Sequence, residues 1–310
     1  MKIFSGVPNI NFMAQRKLGL IISAALTVLS IALVLVRGLN LGIDFTGGVL
    51  VEVGYPQAVQ LDIVREQLHE GGYERAVVQH FGSASSVMIR LPPAENASSA
   101  QVSSQILHAL AVGAEKAPEL RRIEFVGPQI GDELTQKGSL ALLFAFVGIA
   151  LYIAFRFEGK FALGAIAALV HDVVMAVGFL SLFWVEFDIT TLAAILALIG
   201  YSNNETIVIF DRIRENLIAE RRSSVLDVVN LSVNQTLLRS VITHFTTLLV
   251  LTALFTLGGQ SVHSFSVALI VGVIVATYSS IYVSTNLAVA LGVSREDLLP
   301  PAEKEIDEMP

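Results

Sequence analysis

The stretch LGLIISAALTVLSIALVLV, from Leu18 to Val36, decides the class of this chain: it carries no charge, Arg16 and Lys17 precede it, and Arg37 closes it. A helix rises about 1.5 Å per residue and needs roughly 20 residues to cross the hydrocarbon core, so this run can span a bilayer. It is too long for the core of a typical secretory leader, and no small-x-small cleavage site precedes Arg37. It reads as a retained anchor.

Outward from that run, apolar segments resume at Gly138 and dominate the rest of the chain. Gly138–Phe155, Phe161–Val185, Ile189–Phe210, Ser240–Leu257 and Ser264–Val293 complete six expected spans. Composition agrees, with 54% hydrophobic and only 15% charged residues, a balance that a soluble fold could not shield from water. The mean hydropathy is +0.68. The net charge of −7 says little, because placement of charge outweighs its sum in a membrane protein. No basic patch suggests nucleic acid. The absence of cysteine excludes disulfides, thiolate metal sites and a cysteine nucleophile.

Charge placement sets the expected orientation. The loops after the second and fourth spans carry Arg156 with Lys160, and Arg212, Arg214, Arg221, Arg222 and Arg239. The loops after the third and fifth spans carry no Lys or Arg, only Glu186 and Asp188. The positive-inside rule makes the basic loops and both termini cytoplasmic, and long translocated domains escape that rule. The segment from Gly47 to about Val126 is then external. It reads as strand (Val49–Val53), helix (Leu61–His69), strand (Ala76–Phe81), strand (Val87–Leu91), helix (Ser98–Ala111) and strand (Arg121–Val126), punctuated by Gly71-Gly72, Gly82-Ser83 and Pro92-Pro93. That β-α-β-β-α-β order is ferredoxin-like.

The expected fold is therefore a polytopic α-helical membrane protein with six transmembrane helices and a small α+β ferredoxin-like domain between helices 1 and 2. Residues 1–37 form the cytoplasmic N-terminus and first helix, 38–137 the external domain with its connectors, 138–293 helices 2–6, and 294–310 a cytoplasmic tail. Within the helical part, residues 211–238 read as a cytoplasmic amphipathic segment, with Ser224 and Asp227 as a capping box and Val225, Val228, Val229 and Ser232 on one face. It would lie on the inner surface or dock a partner. No internal repeat is visible.

Ionisable residues inside a membrane are costly and point to function. Asp172 sits about 16 Å from the cytoplasmic end of its span, near the midplane. Glu205 falls in the cytoplasmic third of the fourth span and Arg239 opens the fifth at the same level, so the two could meet. Burial raises a carboxylate's pKa and an approaching arginine lowers it, so a pair of variable spacing would bind and release protons. A static ion pair fixing helix register is the alternative, and for Asp172 a hydrogen bond to a neighbouring helix is the plainer role. Asn203, Asn204 and Thr206 could line a hydrated cavity or join helices. His171 and His244 could carry protons, or be packed and hydrogen-bonded. Neither has a second ligand at metal spacing, and no nucleophile–base pair, phosphate loop or cofactor fingerprint appears. No metal, cofactor or enzymatic activity is expected. Gly272, Ala276 and Ser280 belong to a stripe of small residues, from Ala268 to Ala288 at intervals of four, that would let another helix pack closely.

Several stretches resemble the SecF branch of the SecD/SecF family of bacterial protein-export membrane subunits. Gly42-Ile43-Asp44-Phe45-Thr46-Gly47-Gly48 looks like the family signature after the first helix. Gly127-Pro128 with Gly131-Asp132-Glu133-Leu134, His171-Asp172, Gly200-Tyr201-Ser202 through Asp211-Arg212-Ile213-Arg214-Glu215-Asn216, and Asn234-Gln235-Thr236-Leu237-Leu238-Arg239 follow in the family's order. The resemblance implies an accessory subunit of Sec export in the cytoplasmic (inner) membrane, with the 38–137 domain periplasmic. With SecD it would use a proton gradient, or sodium in some bacteria, to draw preproteins outward, in an architecture related to the multidrug efflux transporters of the RND type. Implied partners are SecD, the SecYEG channel, translocating preproteins and membrane lipid, with YajC and YidC as further candidates. The family's functional carboxylate falls on Glu205 and its functional arginine on Arg239. This chain departs at Glu205, where the family usually has Asp, and at Asn203, where an apolar residue is usual. Two competing functions stand beside this one: a structural subunit without ion coupling, and half of a small-molecule exporter.

Overall fold

The structure, a computed structural model, describes residues 8–93, 99–111 and 117–298. Ser98, expected to open a helix, and the tail beyond Leu298 lie outside the described residues.

The first span is α1 (Arg16–Arg37), which ends at Gly38. It leads through a two-residue strand β1 (Asn40–Leu41) and a single turn α2 (Ile43–Thr46) into the external domain. There β2 (Gly48–Gly54), α3 (Leu61–Glu70), β3 (Val77–Phe81), β4 (Ser83–Leu91), α4 (Ser99–Ala111) and β5 (Glu119–Val126) follow in the expected βαββαβ order. The sheet runs β3-β4-β2-β5 with every pair antiparallel. Alternation along the strands divides the side chains between two faces. Val49, Val51 and Val53 pack with Val87, Ile89 and Leu91 against Val64 and Leu68 of α3 and Ile106 and Leu110 of α4. Leu50 and Met88 point the other way and close on Ile43 of α2. Each such aliphatic side chain contributes about 1.5–3 kcal/mol by leaving water, so this small unit has a core of its own.

Among the described residues, six helices are long and apolar enough to cross a membrane. After α1 come α5 (Pro128–Arg156), α6 (Gly159–Leu182), the short strand β6 (Glu186–Phe187), α7 (Ile189–Ala219), α8 (Val225–Leu257) and a sixth span made of α9 (His263–Ser279), a π-helical turn (Ser280–Ser284) and α10 (Thr285–Ala290). The apolar stretches of α6, α7 and the sixth span are about half buried, whereas those of α1, α5 and α8 are at most 17% buried. The first three therefore form the inner layer, and the others present wide faces to lipid or to another protein. Gly272 on α9 allows one close crossing: a Cβ there would lie 2.5 Å from Leu198 of α7. Ala276 on α9 and Ser280 at the start of the π turn are also buried.

Three helices, α5, α7 and α8, outrun their apolar windows, while α6 and the sixth span end three residues inside theirs. α5 starts at Pro128, ten positions before Gly138, because proline suits the first turn, where its missing N–H is not needed. Residues 211–238 are not a separate surface helix. α7 continues to Ala219, a short turn follows, and α8 starts at Val225 behind Ser224, whose hydroxyl accepts from the Asp227 amide. The face predicted from Val228, Val229 and Ser232 exists, but it is buried within the protein against Phe210, Ile213 and Leu217 rather than laid on an interface.

Candidate functional site

Asp172 lies about 20 Å along α6 from Gly159 and about 15 Å from Leu182, near the middle of the bundle. It is fully buried. Its Oδ2 accepts from the Ser202 hydroxyl of α7 (2.6 Å) and the Ser279 hydroxyl of α9 (2.8 Å), while Oδ1 meets His171 Nδ1 at 2.9 Å. One carboxylate thus gathers the three inner helices. The other nitrogen of His171, Nε2, is buried without a hydrogen-bond partner.

One turn further along α7, Glu205 Oε1 accepts from the Ser240 hydroxyl of α8, and its Oε2 lies 3.6 Å from His244 Nε2. Residues 202 and 205 are three apart and share a helix face, which places the two carboxylates in one polar seam through the apolar core. Asn203 and Thr206 are buried beside it, the Asn203 Oδ1 without a partner, while Asn204 faces out of the bundle.

Arg239 does not meet Glu205. It is exposed on α8 and, among the described residues, forms no ion pair. A helix turns about 100° per residue, so the neighbour Ser240 takes the inward position that Arg239 would need. His171, Asp172, Asn203, Thr206 and Glu205 are therefore brought together, and Arg239 and Asn204 are not.

The signature Gly42–Gly48 serves a different place, the junction between membrane and external domain. β1 pairs in parallel with β6, Asn40 opposite Glu186 and Leu41 opposite Phe187, and the Gly42 amide donates to Phe187 O (2.9 Å). Asp44 accepts from the Ile189 amide (3.0 Å), which ties α2 to the start of α7, and Phe45 stacks on Phe187 with ring centroids 5.8 Å apart. Gly47 and Gly48 turn the chain into the sheet with positive φ, and at Gly48 a Cβ would lie 2.2 Å from the Leu91 carbonyl oxygen. The buried Arg90 of β4 fastens the sheet to this junction, donating to Leu41 O and to Asn40 Oδ1, both at 2.7 Å. Glu186 stands 3.6 Å from the same guanidinium. Burial pushes the Glu186 carboxyl up, Arg90 pulls it down, and the nearby Asp188, Asp44 and Glu124 push it up again, with a net upward shift. Between the α2-facing side of the sheet and the loops around Glu186 and His263 lies a cleft of about 730 Å³, bordered by Asp44, His80, Met88, Arg122 and Asp188.

At the end of the bundle remote from the sheet, the motif Asp211–Asn216 fastens helices. Asp211 takes a two-pronged contact from Arg156 (2.8 and 2.9 Å), Arg214 reaches Glu158 (2.7 Å), and Asn216 donates to Ser232 and Gln235 of α8, both at 2.8 Å. Sequence reasoning missed Ser240, Ser279 and Arg90 as partners in these sites. The hydroxyls carry no signal in a chain rich in Ser and Thr. Arg90 had one, as a lone cation in an otherwise apolar strand, Val87–Leu91.

Comparisons with known proteins agree with this geometry. The family model described as protein export membrane protein SecD/SecF, C-terminal, matches residues 106–294, and the SecD/SecF GG motif matches residues 32–59. Protein translocase subunit SecF of Pseudomonas aeruginosa is 45% identical over 305 residues, covering 98% of this chain and 99% of the relative. The subunits of the same name from Vibrio alginolyticus and Escherichia coli O157:H7 are 45% and 42% identical, over 100% and 93% of this chain and 99% and 90% of theirs. The crystal structure of SecDF, a translocon-associated membrane protein from Thermus thermophilus, superposes with a TM-score of 0.83 at 37% identity, over 92% of this chain and 39% of that longer one. A match of this extent in sequence, span number and external domain has one meaning: the chain is a multi-pass membrane protein that belongs to the SecD/SecF family of protein-export membrane proteins, on its SecF branch.

Proposed function

We propose that this chain is a non-enzymatic, cofactor-free accessory subunit of Sec protein export in the bacterial inner membrane. It acts with SecD beside the SecYEG channel, with YajC and YidC as further partners, and couples downhill ion movement to preprotein release on the periplasmic side. The observation that carries this reading is the seam of two buried carboxylates, Asp172 and Glu205, held by hydroxyls of Ser202 on α7, Ser240 on α8 and Ser279 on α9. Intramembrane carboxylates of this kind are costly and mark ion pathways. Proton is the favoured ion, because each carboxylate is met by one or two hydroxyls and an imidazole, not by the six or so oxygens that hard cations gather. Arg239 would complete the relay by approaching Glu205 in a second conformation.

The structural-subunit reading draws on one observation, that Arg239 stays away from Glu205 here. Gradient-driven export in vesicles holding the complex separates the two. With Glu205→Gln at matched complex levels, export is expected to fall to the no-gradient level while the complex purifies intact. Unchanged gradient-dependent export would assign Glu205 a structural role.

A further inference from the structure

The Glu205 neighbourhood contains a second titratable group whose protonation can be worked out from the hydrogen-bond network. His244 of α8 is buried, with only 6% of its side chain exposed. Its Nδ1 lies 2.9 Å from the Thr277 hydroxyl of α9. That hydroxyl already donates its single hydrogen to Val273 O at 2.8 Å, the usual back-bond of a helical threonine. The assignment that makes both Thr277 contacts at once has the ring donating to the Thr277 oxygen, so that Nδ1 carries the hydrogen and a neutral ring presents a bare lone pair at Nε2. That lone pair faces Glu205 Oε2 at 3.6 Å and has no other partner.

Two lone pairs cannot face each other in a buried site without a penalty, because each has lost its water. A single proton between Oε2 and Nε2 removes it, either as Glu205 carboxylic acid beside neutral imidazole or as carboxylate beside imidazolium. Both forms are neutral as a pair. Loss of the proton leaves one negative charge in the seam. The other groups that meet the ring do not compete for this role. Tyr201 of α7 lies tilted beside it, ring centroids 5.6 Å apart, and turns its hydroxyl to Thr247. Arg239, on the same helix, faces outward.

We propose that Glu205 and His244 hold one shared proton, so that the proton-binding unit of this chain is the pair and not the carboxylate alone, with Thr277 fixing the ring's tautomer. The longer Glu205 side chain is what reaches the ring. This rests on the reading of Glu205 as an ion-path residue. Within the pair the hydrogen moves between Oε2 and Nε2, one O–H bond breaking as one N–H bond forms, and the pair discharges when a water molecule takes that hydrogen and becomes hydronium.

The test is an infrared pH titration of the reconstituted complex with SecD, the chain carrying carbon-13-labelled glutamate, read at the stretch of the protonated side-chain carboxyl. Glu205→Gln is expected to abolish a titrating band. His244→Gln keeps an amide donor near Nε2 but cannot accept the proton; it is expected to favour the carboxylate and move the band's midpoint down by about one pH unit, a tenfold loss of proton affinity. Thr277→Val, a near-isosteric change that releases the tautomer, is expected to shift the same midpoint and guards against misfolding of the His244 variant. A midpoint unmoved by both changes would overturn the shared proton while leaving Glu205 in the ion path. A titrating band that survives Glu205→Gln in full would sink the ion-path reading itself.

Discussion

At the scale of single residues, position along the chain was legible and rotation about each helix axis was not. Asp172 stood out as a charge near the middle of an apolar run, and the structure finds it fully buried there. The pairing of Glu205 with Arg239 was read from matching depth alone, and one step of about 100° on α8 hands the contact to Ser240. Depth follows from counting residues, but the angular setting of α8 against α7 comes from packing that no single helix encodes. The Gly47-Gly48 pair has a clearer cause. At Gly48 the positive φ and the Leu91 carbonyl leave no room for a side chain. Gly48→Ala is expected to destabilise the external domain by about 2 kcal/mol or more, from backbone strain alone. Urea-dependent proteolysis of the domain in the reconstituted protein measures it.

At the scale of elements, hydropathy located every span but stopped short of the polar ends of α5, α7 and α8, where helical hydrogen bonding carries on. The extra turns of α5, α7 and α8 are polar and are held by contacts such as Asn216 to Ser232 and Gln235. Asn216→Ala removes both bonds from a buried site and is expected to cost about 1–3 kcal/mol. Asn204→Ala, on the outward face of the same helix, is expected to change stability by no more than about 0.5 kcal/mol. Thermal unfolding in detergent compares them directly. The sixth span had a subtler feature. Small residues every four positions drift about 40° per step around an ideal helix, so a stripe from Ala268 to Ala288 should wander off its face. All the same, Ala268, Ala276, Ser280, Ser284 and Ala288 are buried. The wider π turn at Ser280–Ser284 takes up part of that drift, and such a turn leaves no mark in composition.

At the scale of the whole molecule, the external sheet and the membrane helices meet where β1, β6, α2 and Arg90 come together. The upward-shifted Glu186 makes this junction sensitive to pH. A raised carboxyl favours the folded state when protonated, so its contribution is present in full below the ordinary glutamate range and is lost as pH rises through the shifted value. Amide protection at Gly42 and Phe187, corrected for intrinsic exchange, is therefore expected to fall as pH rises across that interval. Glu186→Gln should flatten the dependence, and an unchanged slope in that variant would assign it to another group. The same junction has a mechanical consequence. It lies on one rim of the cleft between sheet and loops, and Arg122 of β5, donating to Ser261 at 3.0 Å, bridges the same cleft, so the sheet is a jaw clasped at two points. Widening the gape would part Arg122 from Ser261 while Gly42 stays almost still.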